Sequence, residues 1–152
     1  MEQCKILIVE DNPKKLNNLK TWIKSKVTDV IIKEAISYTS GVREIYNNCW
    51  DLIFLDMSLP TYDVTPQEQG GDKKPLAGKE ILRRMSYKKI YIPVIIITQF
   101  DTFGDKEISI DSLNEEFRTA YSSIWRGTIN YDEINTSWME ELERIFTKIM
   151  EK

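Results

Sequence analysis

Trp50-Asp51-Leu52-Ile53-Phe54-Leu55-Asp56 decides the fold class. The stretch is a near-continuous apolar run that ends on a carboxylate. A strand of this composition is covered on both faces, as in a parallel sheet flanked by helices. Two further runs end in polar groups in the same way. Cys4-Lys5-Ile6-Leu7-Ile8-Val9 passes into Glu10-Asp11, and Val94-Ile95-Ile96-Ile97 passes into Thr98. Laid side by side and parallel, these strands bring three acids and a hydroxyl to one sheet edge. Such a cluster suits a hard divalent cation and a nucleophilic carboxylate.

Outward from these strands, helical and extended patterns alternate. Asn12-Pro13 suits a helix start, and a helix over about Lys14 to Lys26 places Leu16, Leu19, Trp22 and Ile23 on one face. Asp29 to Ile36 reads as a second strand, with Val30-Ile31-Ile32 β-branched. Ser40 is the expected cap of a short helix carrying Val42, Ile45 and Tyr46; Glu44 stands one place late for a capping box. Gly78 opens a helix with Ile81, Leu82 and Met85, and Pro93 introduces the strand Val94 to Gln99. A helix over Ser112 to Ser122, a fifth strand over Gly127 to Tyr131 and a final helix over Ser137 to Met150 complete the pattern. Five strands alternating with five helices predict an α/β fold with a parallel sheet and helices on both faces. Ligands of such folds bind beyond the carboxyl ends of the strands, where the acids lie. Two segments lack any period. Met57 to Ala77 holds Pro60, Pro66, Pro75 and Gly70-Gly71, and residues 100–108 form a second loop on the same edge.

At 152 residues, with 41% apolar residues, the chain is expected to form a single domain over 1–152 with a sizeable core. A formal net charge of −3 and only short basic pairs, Arg83-Arg84 and Lys88-Lys89, argue against nucleic acid as a partner. No run approaches the ~18 apolar residues of a membrane span, and no signal peptide precedes the first strand, so the cytoplasm is expected. Cys4 and Cys49 form no metal-ligand spacing and are expected to be buried free thiols. The chain has no histidine, so a phosphohistidine would have to be supplied by another protein.

These residues, in this order, resemble a response-regulator receiver domain. The acidic pair after strand 1 is matched by Glu10 and Asp11, and the phospho-acceptor aspartate ending strand 3 by Asp56. The proline of the following loop is matched by Pro60, the glycine opening helix 3 by Gly78 after an insertion, and the hydroxyl ending strand 4 by Thr98. The resemblance implies a flavodoxin-like (βα)5 fold with strand order 2-1-3-4-5. It implies that Glu10, Asp11, Asp56 and the Ser58 carbonyl hold Mg²⁺. It further implies that Asp56 accepts a phosphoryl group and that Thr98 then bonds a phosphoryl oxygen. The implied partners are a sensor histidine kinase or phosphotransfer protein and a downstream effector, read through helix 4, strand 5 and helix 5; a homodimer is compatible with it. No turnover of a separate substrate is expected. The chain departs from the family at strand 5, where receivers usually carry a lysine followed by proline. Tyr131 stands nearest that position, and Thr128 stands where many members have an aromatic switch residue. Tyr131 offers a hydrogen bond without charge, so the expectation is either a less stabilised phosphorylated state or a substitute cation from Lys73, Lys74, Lys79 or Lys106, with Lys79 favoured by position. Trp125, Tyr131 and Trp138 also read as core anchors for the last helix.

Two rival functions remain at this stage. A phosphorylation-independent pseudo-receiver would use the same fold as a protein-binding module, in keeping with the altered strand 5. An aspartate-nucleophile phosphohydrolase would usually carry Asp-x-Asp after strand 1, where this chain has Glu10-Asp11-Asn12-Pro13.

Overall fold

The computed structural model describes residues 3–64 and 71–151. Its central sheet has strands β1 (Cys4–Val9), β2 (Val30–Ala35), β3 (Leu52–Leu55), β4 (Val94–Thr98) and β5 (Trp125–Asn130). All pairings are parallel, as the apolar runs predict, and the order is β2-β1-β3-β4-β5, as the resemblance implies. The helices are α1 (Pro13–Lys26), α2 (Tyr38–Asn47), α3 (Ala77–Tyr87), α4 (Ile110–Ala120) and α5 (Ser137–Glu151).

Strand alternation divides the apolar residues between two cores. Leu7, Val9, Ile53, Leu55 and Ile96 face Ile45, Ile81, Leu82, Leu113 and Phe117 of α2, α3 and α4. Ile6, Ile8, Phe54, Ile95, Ile97 and Ile129 face Leu19, Trp22, Leu142 and Phe146 of α1 and α5. Trp22 meets Phe146 edge-on at 5.2 Å between ring centres. The three central strands are therefore apolar on both faces because both faces are covered.

Local chemistry sets the helix starts. The Asn12 side chain accepts from the Lys14 and Lys15 backbone N–H groups, and Pro13 takes the first helical position. The cap of α2 is Ser37 and not Ser40. The Ser37 hydroxyl accepts from the Ser40 N–H, while the Ser40 hydroxyl accepts from the Ser37 N–H, so a serine replaces the acid of a capping box. Likewise α4 starts at Ile110 because Ser109 caps it through the Ser112 N–H.

The two segments without period each fold back as a short antiparallel ribbon. Leu59–Pro60 pairs with Lys73–Lys74, and Thr102–Phe103 pairs with Ile108–Ser109. Leu59 and Phe103 anchor them in the α2–α4 core. The middle of the first loop, 65–70 with Pro66 and Gly70, lies outside the described residues. Both cysteines are free, but Cys4 is only half-buried and Cys49 is exposed, against the expectation of burial; Cys49 follows the C-cap of α2, where the chain crosses solvent to β3.

Candidate functional site

Register brings the acids together. Val9 lies opposite Leu55 at the ends of β1 and β3, and the Asp56 N–H donates to the Val9 carbonyl at 3.0 Å. Glu10, Asp11 and Asp56 each present a carboxylate oxygen, all within 4.8 Å of one another. Glu10 is 2% and Asp56 7% exposed, and Asp11 is half-buried at the rim. The Asn12 N–H donates to Glu10 Oε2 at 3.0 Å, and the Met57 N–H donates to Asp56 Oδ1 at 2.8 Å. Ser58 is buried on the same turn. Gly78 packs against this turn from α3, with its N–H donating to the Met57 carbonyl at 2.9 Å. A Cβ at Gly78 would stand 2.9 Å from the Asp56 carbonyl oxygen, so only glycine admits this approach.

A cation sits among the acids. Lys15, from the first turn of α1, has a fully buried side chain. Its Nζ lies 2.7 Å from Glu10 Oε1 and 3.4 Å from Asp56 Oδ1, and donates to the Ile97 carbonyl at 2.8 Å. Burial pushes the Glu10 carboxyl up to about 8, against the pull of Lys15 and with a push from Asp56. Asp56 is raised as well, burial again outweighing Lys15 and the Met57 N–H. Lys15 is not among the lysines of the loops and α3 expected to supply a substitute cation. Of those lysines, Lys73 reaches Asp11 Oδ2 at 3.5 Å from an exposed position, Lys74 pairs with Glu80, Lys79 pairs with Glu116 on α4, and Lys106 is exposed. A signal for Lys15 was present. Lys15, Leu19 and Trp22 are spaced by four and three, which puts the lysine on the buried stripe of α1.

The remaining two predicted residues flank this group. Thr98 is buried at the end of β4; its Oγ1 accepts from the Phe100 N–H at 3.3 Å, and its carbonyl accepts from the Tyr131 N–H at 2.8 Å. Tyr131 follows β5 directly and is 4% exposed. Its hydroxyl accepts from Asn18 Nδ2 at 2.7 Å, its ring packs on Trp138 at 5.1 Å, and the ring centre lies 5.7 Å from Lys15 Nζ. Tyr131 is thus a core anchor and a wall of the lysine's cage. A cleft of about 430 Å³ opens beside Thr98, bordered by Phe100, Asn114, Thr128, Asn130 and Glu141.

The donor set consists of carboxylate oxygens, with no sulfur or imidazole. It fits a hard divalent cation such as Mg²⁺.

The sequence profile of the response regulator receiver domain matches residues 6–113. The Detocs response regulatory protein DtcB of Enterobacter cloacae (strain JD6301) is 31% identical over 149 residues, covering 95% of this chain and 99% of that protein. Among solved structures, a CheY-like response regulator receiver domain protein from Methanospirillum hungatei JF-1 superposes with a TM-score of 0.63 at 19% identity, covering 99% of this chain and 96% of that one. The receiver domain of sensor histidine kinase PA1611 from Pseudomonas aeruginosa PAO1 superposes with a TM-score of 0.61 at 18% identity, covering 99% of this chain and all (100%) of that one. That structure has a magnesium ion coordinated in its active-site cleft.

Proposed function

Because the chain belongs to the family of response-regulator receiver domains, we propose that Asp56 accepts a phosphoryl group and that a partner protein reads the result through the surface of α4, β5 and α5. The protein is a signal-transduction receiver of the two-component kind. The observation that carries the finer reading is the position of Asp56. It ends a buried central strand, within 4.8 Å of two further carboxylates and beside a buried ammonium.

In the proposed reaction a carboxylate oxygen of Asp56 attacks the phosphorus of a phosphohistidine on a histidine kinase or phosphotransfer protein. The O–P bond forms as the P–N bond breaks; the imidazole leaves with the electron pair and takes a proton from water. Asp11, Asp56 and the Ser58 carbonyl would hold Mg²⁺ directly. Glu10 would reach it through water, since Oε1 faces Lys15 and Oε2 accepts from Asn12. The ion supplies charge neutralisation on the transferring oxygens and keeps the acids ionised. Thr98, whose Oγ1 accepts from the Phe100 N–H, would donate its own hydroxyl hydrogen to a phosphoryl oxygen, and the cleft beside it gives α4 and β5 room to respond. No helix among the described residues is long and apolar enough to cross a membrane, and the reading puts the module in the cytoplasm with its kinase.

The second reading, a phosphorylation-independent binding module, is favoured by one observation. Tyr131 brings no charge to the end of β5, and its hydroxyl is engaged by Asn18. Intact-mass analysis after incubation with Mg²⁺ and a small phosphodonor separates the two. One phosphoryl adduct on the wild type and none on Asp56→Asn is the expected result. An unlabelled wild type would leave the binding module as the function.

A further inference from the structure

The acidic pocket has its own built-in cation, which enters from an unexpected element. We infer that Lys15 of α1 is the residue that bonds the phosphoryl group on Asp56, with Tyr131 as its positioning residue. This inference rests on the phospho-acceptor reading of Asp56.

Among the described residues, Lys15 is the only buried side chain with a positive charge. An ammonium has three N–H donors. One goes to the Ile97 carbonyl at 2.8 Å and one faces Glu10 Oε1 at 2.7 Å. The third side of the nitrogen faces Asp56 Oδ1 at 3.4 Å, beyond ordinary N–H···O bonding distance. One donor is therefore uncommitted, on a nitrogen that lies 3.4 Å from the reacting carboxylate. Phosphorylation replaces a single carboxylate charge with a group carrying about two and adds acceptor oxygens at the Asp56 carboxylate, beside this nitrogen. A charge-assisted bond to a phosphoryl oxygen is the contact the free donor is placed to make.

The cage keeps the ammonium there. Asn12 and Pro13 fix the first turn of α1, the Ile97 carbonyl holds the nitrogen from the end of β4, and the Tyr131 ring closes the far side. Tyr131 is itself held between Asn18 of α1 and Trp138 of α5. The end of β5 is thus filled by an aromatic wall, and the charge is supplied next to it from α1. Lys73 does not compete for this role, because it lies at the exposed rim on Asp11.

The test compares wild type, Lys15→Met, Lys15→Met/Tyr131→Lys and Asp56→Asn. Labelling rate is read by intact mass with Mg²⁺ and acetyl phosphate, Mg²⁺ affinity by titration, and folding by thermal melting. We expect Lys15→Met to label about ten- to a hundredfold more slowly, the factor for one lost hydrogen bond between charged groups. Its Mg²⁺ affinity should be retained or increased, because a competing cation has gone. Moving the lysine to position 131 should recover most of the rate. Wild-type labelling matched by Lys15→Met overturns the inference and leaves Asp56 as acceptor. A slow Lys15→Met that is also unfolded or unable to bind Mg²⁺, and is not rescued at 131, overturns it too. A wild type that does not label removes both readings.

Discussion

Glu10 shows at the residue scale how the pocket charges its own stability. Its ordinary carboxyl value of 4.5 is raised to about 8 by burial, and Asp56 moves the same way. Between these limits the folded protein keeps a proton that the unfolded chain has released. Native stability is therefore full below pH ~4.5 and is lost as the pH rises toward about 8. In metal-free buffer the urea midpoint should be higher at pH 5.5 than at pH 8.5, and millimolar Mg²⁺ should remove most of the difference by binding the deprotonated native pocket. A midpoint that does not change with pH would show that Lys15 alone satisfies both acids. The acids themselves were legible because they end apolar runs. Lys15 has only its four-and-three spacing to Leu19 and Trp22 to mark it, against a Lys14-Lys15 pair after a proline that equally reads as two solvated side chains. Only the neighbour separation between its burial and the 68% exposure of the Lys14 side chain distinguishes them in the fold. The pairing depends on β1, β3 and β4 lying adjacent, which no local window of sequence contains.

At the element scale the informative join is between the β3 turn and α3. Gly78 is the first residue after the insertion to return to the site, and its backbone touches the chain at Asp56 and Met57. Gly78→Ala should cost about 1–3 kcal/mol by overpacking. Because the displaced atoms belong to the Asp56 backbone, the variant should also bind Mg²⁺ more weakly, and calorimetric titration beside a denaturant melt measures both. A stability loss with unchanged Mg²⁺ affinity would mean that the turn yields away from the carboxylate. The main strands and helices were legible from apolar period, and their order followed from the family resemblance. The two ribbons were not legible, since a pair of two-residue strands has no period to read. Their only sequence signals are single apolar anchors, Leu59 and Phe103, that are buried by α3 and α4. The cap of α2 at Ser37 lies three residues before the expected Ser40, and α4 begins at Ile110, two before the expected Ser112, for a related reason: several serines stand near each start, and the strand ends decide which one caps.

At the scale of the whole molecule, the sheet couples the two helical layers. Ile53 and Phe54 are neighbours in one strand, yet they point into different cores, as do Ile95 and Ile96. Neither core can lose its strands without exposing the other, so the shared sheet predicts one cooperative unfolding transition. Leu142 on α5 lies in the α1–α5 core, fully buried and remote in the chain from the acidic turn. Leu142→Ala should cost about 2–5 kcal/mol. It should shift the far-ultraviolet circular dichroism and tryptophan fluorescence midpoints together, with Trp22 and Trp138 reporting from its own core and Trp50 and Trp125 from the opposite one. A fluorescence transition that separates from the dichroism transition would show that the layers melt independently. The same coupling carries the signalling argument. The Tyr131–Trp138 contact ties the cage around Lys15 to α5, and Thr98 borders the cleft beneath α4. A phosphoryl group drawing on both Lys15 and Thr98 therefore pulls on the two sides of the α4–β5–α5 surface at once, which is the surface a partner is expected to read.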